Sequence, residues 1–184
     1  MNVTVYCSSR AEVAEEYKAT ARIAGDVIGK ASATLVYGGV DAGMMHLTAE
    51  AASAYGTPIV GIVPSVFRSR ADRLLTELVT ASQLSDRKQE MLYRGDLFVV
   101  LPGGLGTIDE WMTTLAELEI SGDRRRKIIV ANINGIFDHV IAQLQSIAGS
   151  PFARGDFFGI NIIAGSAEEF RSTLTDHITN FKSK

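Results

Sequence analysis

The sequence predicts an α/β fold, a doubly wound parallel sheet with helices on both faces. Short runs of apolar and β-branched residues alternate with longer helix-like stretches along the 184 residues. The strand runs are almost continuously apolar, which is typical of parallel strands that helices cover on both faces. The runs are spaced widely enough for right-handed crossovers and leave little room for hairpins.

Six strands are expected, and helices lie between and after them. The strands occupy residues 3–7, 34–37, 58–63, 97–101, 127–132 and 160–164. The helices occupy residues 12–29, 44–55, 86–94, 108–120, 137–148 and 167–181. In the first helix, apolar residues recur every three or four positions, as a half-buried helix requires; they are Val13, Tyr17, Ala21, Ala24 and Ile28. The longest polar connection, residues 64–76, is expected to form a lid or a binding loop.

Composition places the chain among ordinary globular domains and restricts its partners. Hydrophobic residues make up 46% of the chain and charged residues 21%, close to the average for such domains. The length favours a single nucleotide-binding domain over residues 1–184. The net charge of −3 argues against a nucleic-acid partner, because binding to the phosphate backbone needs a basic face. The basic run at residues 124–127 follows a predicted helix, whose negative end it complements.

The chain is expected to be cytoplasmic, without a membrane partner. Cys7 is the single cysteine, so no intrachain disulfide can form. No apolar run approaches the roughly 18 residues of a membrane-spanning helix. The first residues enter a predicted strand without a cationic and apolar leader.

Two glycine clusters carry the main functional signal. Six of the 17 glycines follow two predicted strands, within residues 37–45 and 97–110. In each cluster a strand, a glycine turn and a helix succeed one another, so free backbone N–H groups at the helix N-terminus suit a phosphate. In a doubly wound sheet, ligands bind at these carboxyl ends of the strands. For the first cluster, tight packing of strand on helix is an equally good explanation.

Neither cluster matches a common nucleotide fingerprint. Residues 7–10 follow the first strand without a G-x-G-x-x-G turn, and the loop G-x-x-x-x-G-K-[ST] is absent. Thr107 and Glu110 also fit a capping box, a pattern that alone indicates only a helix start. The same pattern occurs at Ser9 with Glu12 and at Ser166 with Glu169.

The second cluster resembles the signature of a known family. Residues 102–110 read P-G-G-L-G-T-I-D-E, which fits PGGxGTxxE, and the pair Arg87-Lys88 lies about 15 residues upstream. Together they are the signature of the LOG ("lonely guy") family. The resemblance extends through residues 5–9, 35–39 and 134–138, so it covers most of the chain.

The resemblance implies a Rossmann-like fold, a homodimer and a hydrolase. Members of the family act on cytokinin riboside 5′-monophosphates, cleaving the N-glycosidic bond to release an N6-substituted adenine and ribose 5-phosphate, and some accept AMP. The implied partner is therefore a nucleoside 5′-monophosphate. Members have often been labelled lysine decarboxylases, but the sequence carries no sign of a pyridoxal phosphate site, so no cofactor is expected.

The resemblance also assigns roles to individual residues. Glu110 is expected to be the catalytic carboxylate beside C1′, where it stabilises positive charge and orients water, with Arg87 as its cationic partner. Gly104, Gly106 and Thr107 are expected to bind the 5′-phosphate. The other expected substrate contacts are Ser9, Gly38, Gly39, Lys88, Gly103, Leu105, Ile108 and Asp109.

Several roles are left open or structural. Asp109 lies ~100° around the helix from Glu110, so it touches the ribose or is structural. Ser9 faces the cleft or caps a helix. Cys7 has no neighbouring base and is expected to be a buried strand residue rather than a nucleophile. No metal is expected, because the histidines lack a second ligand at metal spacing; they are His46, His139 and His177.

The sequence departs from the family pattern in four places. Val40 stands in place of a third glycine, His46 in place of a glycine and Ala116 in place of a threonine. Residues 68–70 read Arg-Ser-Arg where the loop after the third strand often carries a glutamate. In the family these positions surround the ribose and base, so they bear on substrate identity rather than on reaction type.

Two other hypotheses use the same residues. A non-catalytic carrier of a nucleotide or phosphorylated cofactor needs the glycine turns but no carboxylate, so Arg87 and Glu110 favour the enzyme. A phosphoribohydrolase for another nucleotide, motivated by the altered loop, keeps the reaction and changes the base. Apolar residues of the predicted helix 108–120 fill either the core or a subunit contact; they are Trp111, Leu115 and Leu118.

Overall fold

A computed structural model describes residues 1–153 and 155–182 of the chain. Its strands are β1 (Asn2–Tyr6), β2 (Thr34–Tyr37), β3 (Ile59–Pro64), β4 (Glu77–Ala81), β5 (Leu97–Val100), β6 (Ile128–Ala131) and β7 (Asn161–Ala164). Its helices are α1 (Glu15–Lys30), α2 (Gly43–Ser53), α3 (Leu84–Arg94), α4 (Leu105–Ile120), α5 (Asp138–Ala148) and α6 (Ala167–Lys182). Short 3-10 helices lie at Ser65–Arg70, Ile133–Gly135 and Phe158–Ile160.

The seven strands form one parallel sheet in the order β4-β3-β2-β1-β5-β6-β7. The chain starts in the middle at β1, winds outward to β4, returns to β5 and winds outward on the other side. The order therefore reverses between β1 and β5, where Tyr6 lies opposite Val100. In such sheets the crevice at this reversal is the usual ligand site.

Helices cover both faces of the sheet, which confirms the predicted fold class. Helices α1, α2 and α6 pack their apolar residues on one face, and α3, α4 and α5 pack theirs on the other. Trp111, Leu115 and Leu118 are buried in the second of these layers, so they fill the core of this chain. None of the helices in residues 1–153 and 155–182 is long and apolar enough to span a membrane.

The connection 64–76, expected to be a lid or binding loop, contains regular structure and leads into a strand that was not expected. A 3-10 helix follows β3, and the chain then turns into β4, which pairs with β3. Four of the five β4 residues are not fully buried, because β4 is an edge strand. The apolar pattern that revealed the inner strands is therefore missing here.

Of the two roles left open for Ser9, the cap with Glu12 does not form. Helix α1 begins at Glu15 after Ala14, which makes no side-chain cap. At the last helix the Glu169 N–H donates to Ser166 Oγ at 3.1 Å, as in a capping box. The Glu169 carboxylate, however, accepts from the Gly165 N–H at 2.7 Å, one residue before Ser166. Within the basic run 124–127, Arg124 donates to the Leu118 carbonyl near the end of α4 at 3.2 Å.

Candidate active site

A cavity of about 290 Å³ opens at the carboxyl ends of β1 and β5. Residues 7–10 after β1, one residue each from α2 and α3, and the start of α4 form its walls. The cavity brings together seven of the residues expected from the sequence: Ser9, Arg87, Gly104, Leu105, Gly106, Thr107 and Glu110. Six other expected contacts do not line it, namely Gly38, Gly39, Lys88, Gly103, Ile108 and Asp109.

The N-terminus of α4 forms one wall and is free of internal caps. Gly104 is the N-cap, no side chain caps the helix, and its first turn holds no acidic residue. The first i→i−4 bond joins the Ile108 N–H to the Gly104 carbonyl at 3.1 Å. The N–H groups of residues 105–107 therefore precede the regular helix bonds, and together with the positive end of the helix dipole they suit an anion.

Two glycines of this turn leave space that the protein does not fill. A Cβ added at Gly104 or Gly106 would meet no heavy atom within 4 Å, and neither residue has a positive φ. Neither packing nor backbone conformation therefore requires glycine at these two positions. Gly103 differs, because a Cβ there would overlap the Thr107 side chain. Gly104 and Gly106 thus leave room for a ligand, while Gly103 allows close packing.

The first glycine cluster serves packing. A Cβ at Gly38 would collide with the Arg87 guanidinium and the Met45 side chain, and one at Gly39 would collide with Val63. Gly39 also has a φ of 72°, which favours glycine. Of the two explanations left open by the sequence, the structure favours tight packing, with Gly38 making room for Arg87.

A buried ion pair forms the floor of the cavity. Arg87 Nη1 donates to Glu110 Oε1 at 2.5 Å, and their side chains are 8% and 7% exposed. Arg87 Nε also donates to the Ile62 carbonyl at 2.9 Å, so the guanidinium is fixed between β3 and α4. The alternative explanation of the T-x-x-E pattern, a capping box of Thr107 with Glu110, does not apply, because Gly104 is the N-cap and no side chain caps the helix. Burial raises the pKa of the Glu110 carboxyl, and the Arg87 charge opposes that rise.

The neighbours of Arg87 on α3 and of Glu110 on α4 form a second ion pair, which lies outside the cavity. Lys88 Nζ donates to both carboxylate oxygens of Asp109 at 2.9 Å and to Thr113 Oγ1 at 3.3 Å. Their side chains are 21% and 44% exposed. Asp109 and Lys88 therefore bind each other, and neither lines the cavity.

The loop after β1 supplies the opposite wall. Cys7 is buried, and burial raises the pKa of its thiol, so it does not serve as a thiolate. Ser8 Oγ accepts the Arg10 N–H at 3.1 Å, and Ser9 is exposed and lines the cavity. Arg10 and Met45 also line the cavity and were not expected from the sequence. Arg10 could have been found as the first cation beyond the carboxyl end of the first predicted strand.

The four departures from the family pattern lie outside this cavity. Val40 forms an isolated antiparallel bridge with Ala71. Ala116 is exposed on α4, and residues 68–70 are exposed in the 3-10 helix after β3. His46 follows Met45 on α2 and contacts two carboxylates, which the sequence pattern did not indicate.

Comparisons with known proteins agree with this architecture. A family model described as "Possible lysine decarboxylase" matches residues 45–174. A cytokinin riboside 5′-monophosphate phosphoribohydrolase of Mycobacterium tuberculosis is 35% identical over 147 residues, which cover 79% of this chain and 78% of that protein. One of Arabidopsis thaliana is 26% identical over 178 residues, covering 96% and 83%. A molybdenum cofactor binding protein of Rippkaea orientalis has the same fold, with a TM-score of 0.75 at 18% identity over 96% of each chain.

The description of the family model suggests a decarboxylase that uses pyridoxal phosphate. The residues that line the cavity do not fit such an enzyme. Such an enzyme needs a lysine amine to form a Schiff base with the cofactor. Among the described residues, those that line the cavity include no lysine, and Lys88 is bound to Asp109 outside it. The matched model, the relatives and the signature at residues 87–88 and 102–110 instead agree with one another. The chain belongs to the LOG family.

Proposed function

We propose that this protein hydrolyses the N-glycosidic bond of adenosine 5′-monophosphates, including N6-substituted ones, to free base and ribose 5-phosphate. The relatives in Mycobacterium tuberculosis and Arabidopsis thaliana, named as cytokinin riboside 5′-monophosphate phosphoribohydrolases, support this reaction class. The single observation that carries the proposal lies in α4. Its first turn is open around Gly104 and Gly106, and the buried Arg87–Glu110 pair follows about one helical turn later.

The 5′-phosphate is proposed to bind at the open turn. The N–H groups of residues 105–107 donate to its oxygens, and the helix dipole favours its negative charge. The ribose then extends along α4 toward Glu110, which faces the same cavity. Arg10 and Ser9, on the opposite wall, are available to contact the rest of the nucleotide.

The Glu110 carboxylate is proposed to act at C1′. As the C1′–N bond breaks, its electron pair leaves with the base, and positive charge develops on the ribose. The carboxylate stabilises that charge and orients a water molecule, whose oxygen bonds to C1′. One proton of that water stays on the sugar hydroxyl, and the other neutralises the departing base.

Arg87 is proposed to keep this carboxylate ionised. Burial alone favours the neutral acid at Glu110, and the guanidinium at 2.5 Å opposes it. The bond from Arg87 to the Ile62 carbonyl fixes the guanidinium, so that the carboxylate is held in one orientation before the substrate arrives.

A direct assay tests this proposal. Purified protein is incubated with AMP and, separately, with N6-isopentenyladenosine monophosphate, and free base and ribose 5-phosphate are quantified. Release of both products from either nucleotide supports hydrolysis, and the preferred nucleotide identifies the base. Tight nucleotide binding without release from either would instead support the carrier hypothesis and refute the enzyme.

The homodimer and the cytoplasmic setting expected above are also proposals. Sedimentation velocity tests the first: a species of twice the 19.8 kDa chain mass at micromolar concentration supports the dimer. A monomer at all concentrations would reject it.

A further inference from the structure

A second cluster of polar side chains lies beside the cavity but does not line it. Asp41 follows β2, His46 lies on α2, and Asp72 lies between the 3-10 helix Ser65–Arg70 and β4. His46 Nδ1 is 3.0 Å from Asp41 Oδ1 and 3.0 Å from Asp72 Oδ2. The ligand atoms of all three residues lie within 4.8 Å of one another. The reaction proposed above uses none of them.

We propose that Asp41, His46 and Asp72 bind a divalent transition-metal ion of the Zn²⁺ class. One imidazole nitrogen and two carboxylate oxygens are ligands that Zn²⁺ accepts. Two atoms 3.0 Å apart, each about 2.1 Å from a common ion, subtend an angle of about 90° at that ion. The angle widens toward the tetrahedral value when the 47% exposed Asp41 side chain moves by a few tenths of an ångström.

A single hydrogen bond from His46 Nδ1 does not satisfy both neighbouring carboxylates. An imidazole Nδ1 carries at most one proton, yet two carboxylates lie equally close to it. One proton cannot be directed well at both oxygens. A cation bound to the Nδ1 lone pair satisfies the nitrogen and both carboxylates together.

An independent observation beneath the cluster also points to a ligand. Tyr37 is fully buried, and within the described part of the chain its hydroxyl has no hydrogen-bond partner of good geometry. The Asp72 carboxylate lies next to this hydroxyl. Ligating carboxylates are commonly oriented by an outer hydrogen-bond donor. Tyr37 is placed to act as such a donor to Asp72 when an ion is bound.

The backbone holds the two carboxylates in place before any ion binds. The Asp41 N–H donates to the Arg70 carbonyl at 3.0 Å, and the Asp72 N–H donates to the Gly39 carbonyl at 2.8 Å. Asp72 Oδ1 is occupied by the Leu74 N–H at 3.0 Å, which leaves Oδ2 directed at His46. The site is therefore preorganised and open to solvent on the Asp41 side, so water can complete the coordination shell.

Isothermal titration calorimetry with Zn²⁺ tests this proposal on the full chain after treatment with a chelator. We expect one Zn²⁺ per chain in the wild type. His46→Gln and the exposed Asp41→Asn should each weaken binding at least tenfold. His139→Gln, which changes an exposed histidine of α5, is the matched control and should bind as the wild type does.

A further variant tests the outer donor. Tyr37→Phe should keep the one-to-one stoichiometry and weaken binding about tenfold, as the loss of an outer-shell partner does. Binding that is unchanged in His46→Gln and Asp41→Asn would overturn the proposal, as would the absence of stoichiometric binding to a wild type that is folded by circular dichroism. Binding of Mg²⁺ but not of Zn²⁺ would overturn the assignment to a transition metal. None of these results depends on catalytic activity, so they are independent of the hydrolase proposal.

Discussion

Gly106→Ala separates a ligand-binding role of the α4 turn from a structural one, because the two roles predict opposite effects. The added methyl group is on a residue that lines the cavity, and it meets no protein atom within 4 Å. The methyl group therefore causes no steric clash with the rest of the described protein. An oxyanion bound to the N–H groups of residues 105–107 would have to move away from it.

The expected magnitudes follow from this geometry. Alanine is favoured over glycine in a helix by at most about 0.5–1 kcal/mol, so for a chain of this length the melting temperature should stay constant or rise by up to about 4 °C. Loss of one hydrogen bond to a charged phosphate costs about 1.5–3 kcal/mol. That loss corresponds to a rise of about 10- to 150-fold in the KM for the nucleotide and in the inhibition constant of ribose 5-phosphate.

Steady-state kinetics with AMP and inhibition by ribose 5-phosphate measure the binding effect, and thermal denaturation measures stability. Gly149→Ala is the matched control. Gly149 ends α5 with a φ of −84°, and a Cβ there would make only ordinary contact at 3.7 Å. This control should leave both KM and inhibition unchanged. Unchanged KM in a well-folded Gly106→Ala protein would refute phosphate binding at this turn, and a large loss of stability would refute the inference that the space is left for a ligand.

Three further predictions concern the ion pairs of α3 and α4. The acidic limb of the kcat/KM profile should lie above the ordinary Glu pKa of 4.5, because burial raises the pKa of Glu110 and its carboxylate is the active form. Arg87→Met should move that limb to still higher pH. A limb that does not move in this variant would contradict the pairing of Arg87 with Glu110. Urea denaturation of Arg87→Met should show a loss of about 3–5 kcal/mol from the unpaired buried carboxylate, largely recovered by adding Glu110→Gln. Lys88→Met removes only a partly exposed pair, so it should cost under about 1 kcal/mol and leave KM near the wild-type value; a large rise in KM would mean that Lys88 contacts the substrate.

The inner part of the fold could be predicted because helices cover both faces of the sheet. Strands β1, β2, β3, β5 and β6 are buried along most of their length, so each leaves an apolar run in the sequence. Edge strand β4 is largely exposed and leaves none. The order of the strands depends on crossovers and long-range packing, which periodicity in the sequence does not specify.

The candidate site was predictable only in part. The signature at residues 102–110 pointed to α4 and to Glu110, but a T-x-x-E pattern also fits a capping box. The three-dimensional fold decides between them, because Arg87 lies 23 positions away in the chain and binds the Glu110 carboxylate. The roles of Gly38 and Gly103 likewise depend on side chains from distant or following turns. Asp72, which lies 26 positions from His46, escaped a search for metal ligands at short spacing.

The catalytic role of Glu110 is tested by comparing wild type, Glu110→Gln and Asp109→Asn in one assay of AMP or N6-isopentenyladenosine monophosphate. Both variants make the same carboxylate-to-amide change at neighbouring positions of α4, one inside the cavity and one outside it. Nucleotide affinity is measured in parallel by calorimetry. We expect Glu110→Gln to bind nucleotide but to release base and ribose 5-phosphate at least 100-fold more slowly, within the ~10²–10⁴-fold contribution of a positioned acid–base group. Asp109→Asn should keep most of its activity. Undiminished product release by Glu110→Gln would show that this carboxylate is not catalytic.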